Sequence, residues 1–257
     1  MIAEITHRGR SFKVDLSKPL DLSLPLGEHG PRAWYVGPVV MEPVRARDEA
    51  GVEKVYAVKD GAPVNFRNVA FNPHGHGTHT ESVGHISPEV HPVGNMLKRY
   101  FFTAQVVSVR PETRRAPDQR EDRVITLEQL RHMVNERPPE ALVLRTLPND
   151  QEAGSRQWSG SNPCYLQSTA CAWLRSIGVK HLLLDLPSVD REEDGGVLAA
   201  HHAFWDFPNT IDLERTITEM IHVPSAAPDG DYLLELQLPH LINDAAPSRP
   251  VLYAMLP

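Results

Sequence analysis

The stretch from Ala141 to Leu186 constrains the fold most. Ala141-Leu142-Val143-Leu144-Arg145-Thr146 is an apolar run of strand length. Ser168 to Ile177 has the pattern of a helix, and Gly178 follows it as a stop signal. A second apolar run, Lys180-His181-Leu182-Leu183-Leu184-Asp185-Leu186, comes next. Strand, helix and strand in that order predict a βαβ crossover and at least some parallel pairing. Upstream, Tyr100 to Val109 reads as a buried strand. Thr126 to Val134 reads as a helix, capped by Thr126 with Gln129 three residues on. The fold class expected is therefore α/β with a mixed sheet.

The flanks are read more coarsely. Phe12 to Leu16 and Asp21 to Leu26 alternate and predict short strands, and Val64 to Phe71 predicts a half-buried one. Arg110 to Arg123 is charged without a hydrophobic period, so it is expected to be a solvent-facing insertion. Thr216 to Ile221 suits a helix or a strand, Tyr232 to Leu238 a strand, and Val251 to Leu256 an interior segment. With 257 residues, 41% hydrophobic, the chain has the material for one compact domain spanning 1–257. Its 23 prolines are dispersed among apolar segments, which predicts fixed turns rather than disorder.

A net charge of −7 argues against nucleic-acid and anionic-membrane partners, because no Lys/Arg patch is present to displace counterions. The start, Met1 to Arg8, is charged where a signal peptide needs an apolar run, and no segment approaches the ~18 apolar residues of a membrane span. A cytoplasmic location is expected. Cys164 and Cys171 lack C-x-x-C spacing and read as buried thiols.

Chemistry concentrates in Asn72-Pro73-His74-Gly75-His76-Gly77-Thr78-His79-Thr80-Glu81-Ser82-Val83-Gly84-His85. Four histidines and a carboxylate fall within fourteen residues, separated by small residues that let the backbone fold around a common point. Imidazole nitrogens and carboxylate oxygens are the donors that Zn²⁺, Mn²⁺ or Fe²⁺ take up. His7, His29, His91, His132, His181, His222 and His240 stand alone and read as surface or core residues. Trp34 is a candidate for the wall of a substrate pocket.

His76-Gly77-Thr78-His79 invites comparison with subtilisin-like proteases, but no Gly-Thr-Ser follows to supply a nucleophile. An H-E-x-x-H helix is also absent. The segment instead resembles the H-x-G-T-H-x-D-x-P-x-H signature of the metal-dependent cyclase and bacterial kynurenine formamidase family. Asp21 to Leu26 resembles that family's D-I-S-x-P-L, Leu144-Arg145-Thr146 its L-R-T, and Asp185 to Asp190 its D-T-P-S-V-D. His201 and Ile217-Thr218-Glu219-Met220 resemble its later histidine and glutamate segment, so the likeness covers nearly the whole chain. Glu81 departs from the usual Asp and Val83 from Pro, and the first histidine is out of step by one.

The resemblance implies a swivelling β/β/α domain. It also implies an arylformamidase-like amidohydrolase, cleaving the C–N bond of N-formylkynurenine or of a related cyclic amide or ester through metal-bound hydroxide. A cyclase or dehydratase using the same site, and an inactive metal-binding protein, are the alternatives. His74, His79 and Glu81 would hold one metal; Glu81, His201 and Glu219 would complete a second, with Glu81 bridging. His85 would carry the proton. His76 is the alternative to His74, and His202 with Glu214 the alternative pair. One or two divalent ions are expected, zinc first, with manganese or iron as alternatives. The partners expected are a small-molecule substrate and further copies of the chain, as a homodimer or higher homo-oligomer, with Val251 to Leu256 as a candidate contact.

Overall fold

A computed structural model describes residues 1–116, 118–149 and 151–256. The expected crossover is present at its centre. Phe101–Val109, Ala141–Thr146, His181–Leu184 and Thr216–Glu219 lie side by side and parallel. Around them an eleven-stranded mixed sheet is completed by antiparallel neighbours. Gly230–Glu235, Val251–Leu256, Arg10–Asp15 and Ile2–His7 extend one side, and His79–Glu81 and Ala245–Pro247 the other; Leu20–Asp21 also pairs with Val251–Leu256.

Alternation along the central strands divides the core. Val107, Val109, Leu142, Leu144, Leu182 and Leu184 face a layer built from the helices Leu127–Met133, Ser168–Ser176 and Ala199–Trp205. Ala104, Val106, Ala141, Val143 and Leu183 face the opposite way, packing with Leu22, Tyr232, Leu234 and Leu252. Helices on one face and strand-borne residues on the other make the β/β/α arrangement. The helix Leu127–Met133 carries the anticipated capping box: Thr126 Oγ1 accepts from Gln129 N at 3.3 Å, and Gln129 Oε1 accepts from Thr126 N at 3.0 Å.

Several flanking expectations are corrected. Asp21 to Leu26 is strand only at Leu20–Asp21, because Asp21 Oδ1 accepts from Ser23 N and Ser23 Oγ and turns the chain. Val64 to Phe71 yields only Arg67–Ala70, which pairs with Val40–Pro43 in an exposed two-stranded ribbon rather than a half-buried strand. Arg110 to Arg123 faces solvent as expected, but it carries regular structure: Glu112–Arg115 and Glu121–Ile125 form a hairpin, anchored by buried Asp122, Val124 and Ile125. Val251–Leu256, expected to be interior, is a strand of the main sheet, paired with Gly230–Glu235, Leu20–Asp21 and Arg10–Asp15.

Candidate metal centre

Sheet register brings the site together. His79–Glu81 lies between Thr216–Glu219 and Ala245–Pro247, with His79 directly opposite Glu219 and Glu81 opposite Ile217 and Ala245. The period of two places His79, Glu81 and Glu219 on one face. Thr80 points to the other, where its hydroxyl meets Thr218 Oγ1 and Ser248 Oγ, each at 2.8 Å. Thr78 fixes the entry to this strand by donating to Met220 O and accepting from Leu24 N. Gly77 turns the chain there at φ 61°, a conformation that suits glycine.

Glu81 is the hub. Its Oε2 lies 3.0 Å from His74 Nδ1 and its Oε1 lies 3.1 Å from His201 Nε2. His79 donates Nδ1–H to Gly77 O at 3.1 Å, which leaves its Nε2 pointing at Glu219 Oε2, 3.5 Å away. His201 arrives on Ala199–Trp205, and Asp190 holds both the helix and the ring. Asp190 Oδ1 accepts from Ala200 N at 2.7 Å, and its Oδ2 accepts from His201 N at 3.0 Å and His201 Nδ1 at 2.7 Å. His74 Nε2 is gripped by Asp244 Oδ2 at 2.7 Å.

His85 ends a short 3-10 turn, Val83–His85. Its ring stacks on His74, with centroids 4.2 Å apart and planes inclined by 31°. Its Nδ1 lies 3.8 Å from Glu81 Oε2 and 3.7 Å from Asp244 Oδ2.

The electrostatics are those of a dense, mutually compensated cluster. Burial works against charge on His74 and His201, yet Asp244 and Glu81 for the first, and Asp190 and Glu81 for the second, raise each ring's pKa to about 10. Burial also opposes ionisation of Glu81, but His85, His201 and His74 hold its carboxyl well below the usual range. Glu219 goes the other way, raised by burial and then by the charge of Glu81. In this cluster a divalent cation would compete with protons for the same lone pairs.

The residues fit a divalent metal on the donor set and on two orphaned atoms. His79 Nε2 and Glu219 Oε1 are buried and have no hydrogen-bond partner among the described residues, a costly arrangement for polar atoms unless a ligand meets them. Among the described residues, two trios each bring one ligand atom per residue within 4.8 Å of one another: His79, Glu81 and Glu219, and His74, Glu81 and His85. Glu81 belongs to both. Strand register thus pairs His79 with Glu219, where the sequence pattern grouped His79 with His74.

The alternates fall elsewhere. Both nitrogens of His76 are engaged, Nδ1 accepting from Asn72 N at 2.8 Å and Nε2 donating to Gly37 O at 2.7 Å, so no lone pair remains for a metal. His202 bonds Phe207 O through Nδ1, and Glu214 is exposed beside Lys180. Neither reaches the cluster. Trp34 stands on the rim of the cavity, of about 310 Å³, that opens onto His74, His85, His201 and Glu219, with Leu198, Ser188 and Arg191 along its walls. That volume suits a small ligand.

Sequence reasoning missed two residues. Asp190 lay inside the quoted Asp185 to Asp190 segment, where its position ahead of a His-bearing helix was the available signal. Asp244 is a single acid in a loop and gave none.

An α/β protein with a histidine–carboxylate centre at the end of its sheet is the class that fold and site define. The Cyclase family model matches residues 14–191, and the chain belongs to that family. Solved structures share the fold over nearly their whole length. A predicted metal-dependent hydrolase from Bacillus stearothermophilus aligns at TM-score 0.60 and 15% identity, covering 92% of this chain and 98% of its own. Isatin hydrolase A from Labrenzia aggregata aligns at TM-score 0.62 and 12% identity, covering 93% and 94%. Isatin hydrolase A from Ralstonia solanacearum aligns at TM-score 0.60 and 13% identity, covering 92% of each chain. No helix among the described residues is long and apolar enough to cross a membrane.

Proposed function

We propose that this chain is a metal-dependent hydrolase that opens the amide-type C–N bond of a small aromatic formamide or lactam, arylformamidase-like in its chemistry. The observation that carries the reading is the orphaned pair His79 Nε2 and Glu219 Oε1, buried beside a Glu81 already shared between His74 and His201. His74, His79, Glu81, His201 and Glu219 would hold one or two divalent ions. Such an ion polarises a carbonyl and brings the ionisation of water near neutral pH.

The chain's own residues supply the rest. Glu81 presents one oxygen to each side of the centre and fixes the separation of the two halves. His85 reaches the cavity half-buried, and its Nδ1 stands farther from the hub than that of His74, 3.8 Å against 3.0 Å from Glu81 Oε2. That favours His85 as the group that takes a proton from the attacking water and passes it to the leaving nitrogen. Trp34 on the rim offers an aromatic face to a planar substrate. Two neighbours of the same fold are isatin hydrolases, and isatin is a fused aromatic lactam, which supports including cyclic amides beside N-formylkynurenine.

The test is elemental analysis of the purified protein, together with hydrolysis of aromatic formamides, lactams and lactones. Bound metal and turnover on an amide are expected. His79→Ala should lose metal, whereas His85→Ala should keep it and lose turnover. Loss of metal from His85→Ala would instead make His85 a ligand, as the trio of His74, Glu81 and His85 allows.

A further inference from the structure

We infer that Asp244 is a positioning residue of the centre, which holds Nε2–H of His74 and so leaves Nδ1, beside Glu81, as the nitrogen open to a metal. The inference rests on the reading of the site as a metal centre. Asp244 lies outside residues 14–191, the part of the chain that the family model matches.

Three histidines approach the hub, and each has its outward nitrogen held by an acceptor. His79 gives Nδ1–H to Gly77 O, and His201 gives Nδ1–H to Asp190 Oδ2. Both therefore present Nε2 inward. His74 is reversed: its Nδ1 faces Glu81 Oε2 at 3.0 Å and its Nε2 faces outward, where Asp244 Oδ2 meets it at 2.7 Å. A carboxylate has no proton to donate, so Asp244 keeps a hydrogen on Nε2, and Nδ1, whose proton is shared with Glu81 in the metal-free cluster, is the nitrogen left for a metal to take in exchange for that proton. Without that acceptor Glu81 alone would hold the ring, keeping the proton on Nδ1 and leaving the free lone pair on Nε2, away from the hub. A carboxylate behind a ligating imidazole also raises its basicity and locks its rotation.

The backbone holds Asp244 for this task. It immediately precedes Ala245–Pro247, the strand paired to His79–Glu81, and its carbonyl accepts from Ser82 N at 2.9 Å. The preceding Asn243 accepts from Val93 N through its carbonyl and donates its side-chain amide to Ala245 O at 3.0 Å. On the other side Gly84 leaves room, since a Cβ there would stand 3.0 Å from Asp244 Cβ. Asp244 is thus seated against the same strand and turn that carry His79, Glu81 and His85.

The same oxygen lies 3.7 Å from His85 Nδ1, beyond a normal hydrogen bond. A role limited to His85 is the rival, and the two roles separate on metal binding.

The experiment measures Co²⁺ affinity and the visible absorption spectrum of bound Co²⁺ for the wild type, Asp244→Asn and Asp244→Ala, with His202→Ala as a control outside the cluster. Removing a carboxylate behind a ligating histidine weakens metal binding by about 10- to 100-fold. Asp244→Ala is expected at the upper end of that range with an altered spectrum. Asp244→Asn, whose amide oxygen still accepts from Nε2–H, should lose less and keep a spectrum nearer the wild type, which identifies the acceptor rather than general damage. Wild-type affinity and spectrum in both variants, with turnover lowered, would overturn the inference in favour of the His85 role. Equal weakening in Asn and Ala with the folded far-UV signal lost would also overturn it, as fold damage. Failure of the wild type to bind Co²⁺ would sink the metal-centre reading itself.

Discussion

Replacing Asp190 tests how the second half of the centre is built. Its buried carboxylate accepts three hydrogen bonds, from Ala200 N, His201 N and His201 Nδ1, and two of these satisfy the first turn of Ala199–Trp205. Leu198, at the cap position, makes no side-chain capping bond, so Asp190 serves as the cap from ten residues upstream. Losing a cap costs about 1 kcal/mol. Losing a charge-assisted bond to the His201 ring costs about 1.5–3 kcal/mol. Asp190→Ala should therefore lower stability by roughly 2.5–4 kcal/mol, a fall of about 5–16 °C in Tm for a chain of this size.

Asp190→Asn separates fold from site. One atom of the amide accepts and the other donates. If the oxygen caps the helix, the NH2 faces His201 Nδ1 and forces the ring's proton onto Nε2, the atom 3.1 Å from Glu81 Oε1. The lone pair intended for metal is then gone. Asp190→Asn should melt closer to the wild type than Asp190→Ala, while losing metal affinity by about 10- to 100-fold. Thermal melts of metal-free protein and metal titrations read the two effects. Wild-type metal affinity in Asp190→Asn would refute the assignment of His201 as a ligand oriented by Asp190.

Other expectations follow from the same geometry. Glu81→Asp shortens the hub by one methylene on a strand whose backbone is paired on both sides, so His74 and His201 can no longer both be reached; metal per chain, measured by elemental analysis, should fall, and unchanged stoichiometry would contradict the bridging role. His181, buried beside Phe102 and bonded to Thr216 Oγ1, has its pKa pushed down to about 3 by burial. The unfolded chain binds that proton near pH 6.5 and the native chain does not, so this contribution is present above 6.5 and is lost as pH falls toward 3. On the order of 3–5 kcal/mol is at stake. Urea unfolding between pH 7 and 4 should show a shallower acid slope for His181→Gln, and an identical slope would count against a neutral buried ring. Cys164 and Cys171 are buried, with Cys164 pushed up to about 12 by burial, so alkylating reagents should label neither without denaturant; rapid labelling of the native protein would refute that.

The parts of the fold legible in the sequence were those where one physical signal dominates. Ala141–Thr146, Ser168–Ser176 and His181–Leu184 are apolar runs and a Gly-stopped helix with no competing pattern. The hairpin Glu112–Arg115 and Glu121–Ile125 was hidden because most of its side chains are charged and exposed, and only Asp122, Val124 and Ile125 anchor it. Arg67–Ala70 alternates as a half-buried strand would, yet both of its faces are open. At the site, the histidines and the carboxylate were legible as a cluster, but the strand His79–Glu81 that carries two of them was not, being only three residues long. The pairing of His79 with Glu219 depends on register across 140 positions and was not legible; the resemblance brought Glu219 to the centre, but beside His201 rather than His79. His74 and His76 could not be separated by spacing, since the distinction lies in Gly37 O and Asn72 N, which occupy the nitrogens of His76. Asp244 had no local signal, because its role exists only where its loop folds back on Ser82 and Gly84.

The central claim is that bound metal at this centre drives amide hydrolysis, and its most direct test is a titration of turnover against metal content. Protein stripped with a chelator should hydrolyse neither aromatic formamides nor lactams. Activity should return in proportion to Zn²⁺ or Mn²⁺ bound, in the wild type but not in His79→Ala. Full turnover by stripped protein, or a centre that refills with metal and hydrolyses no amide, would contradict it.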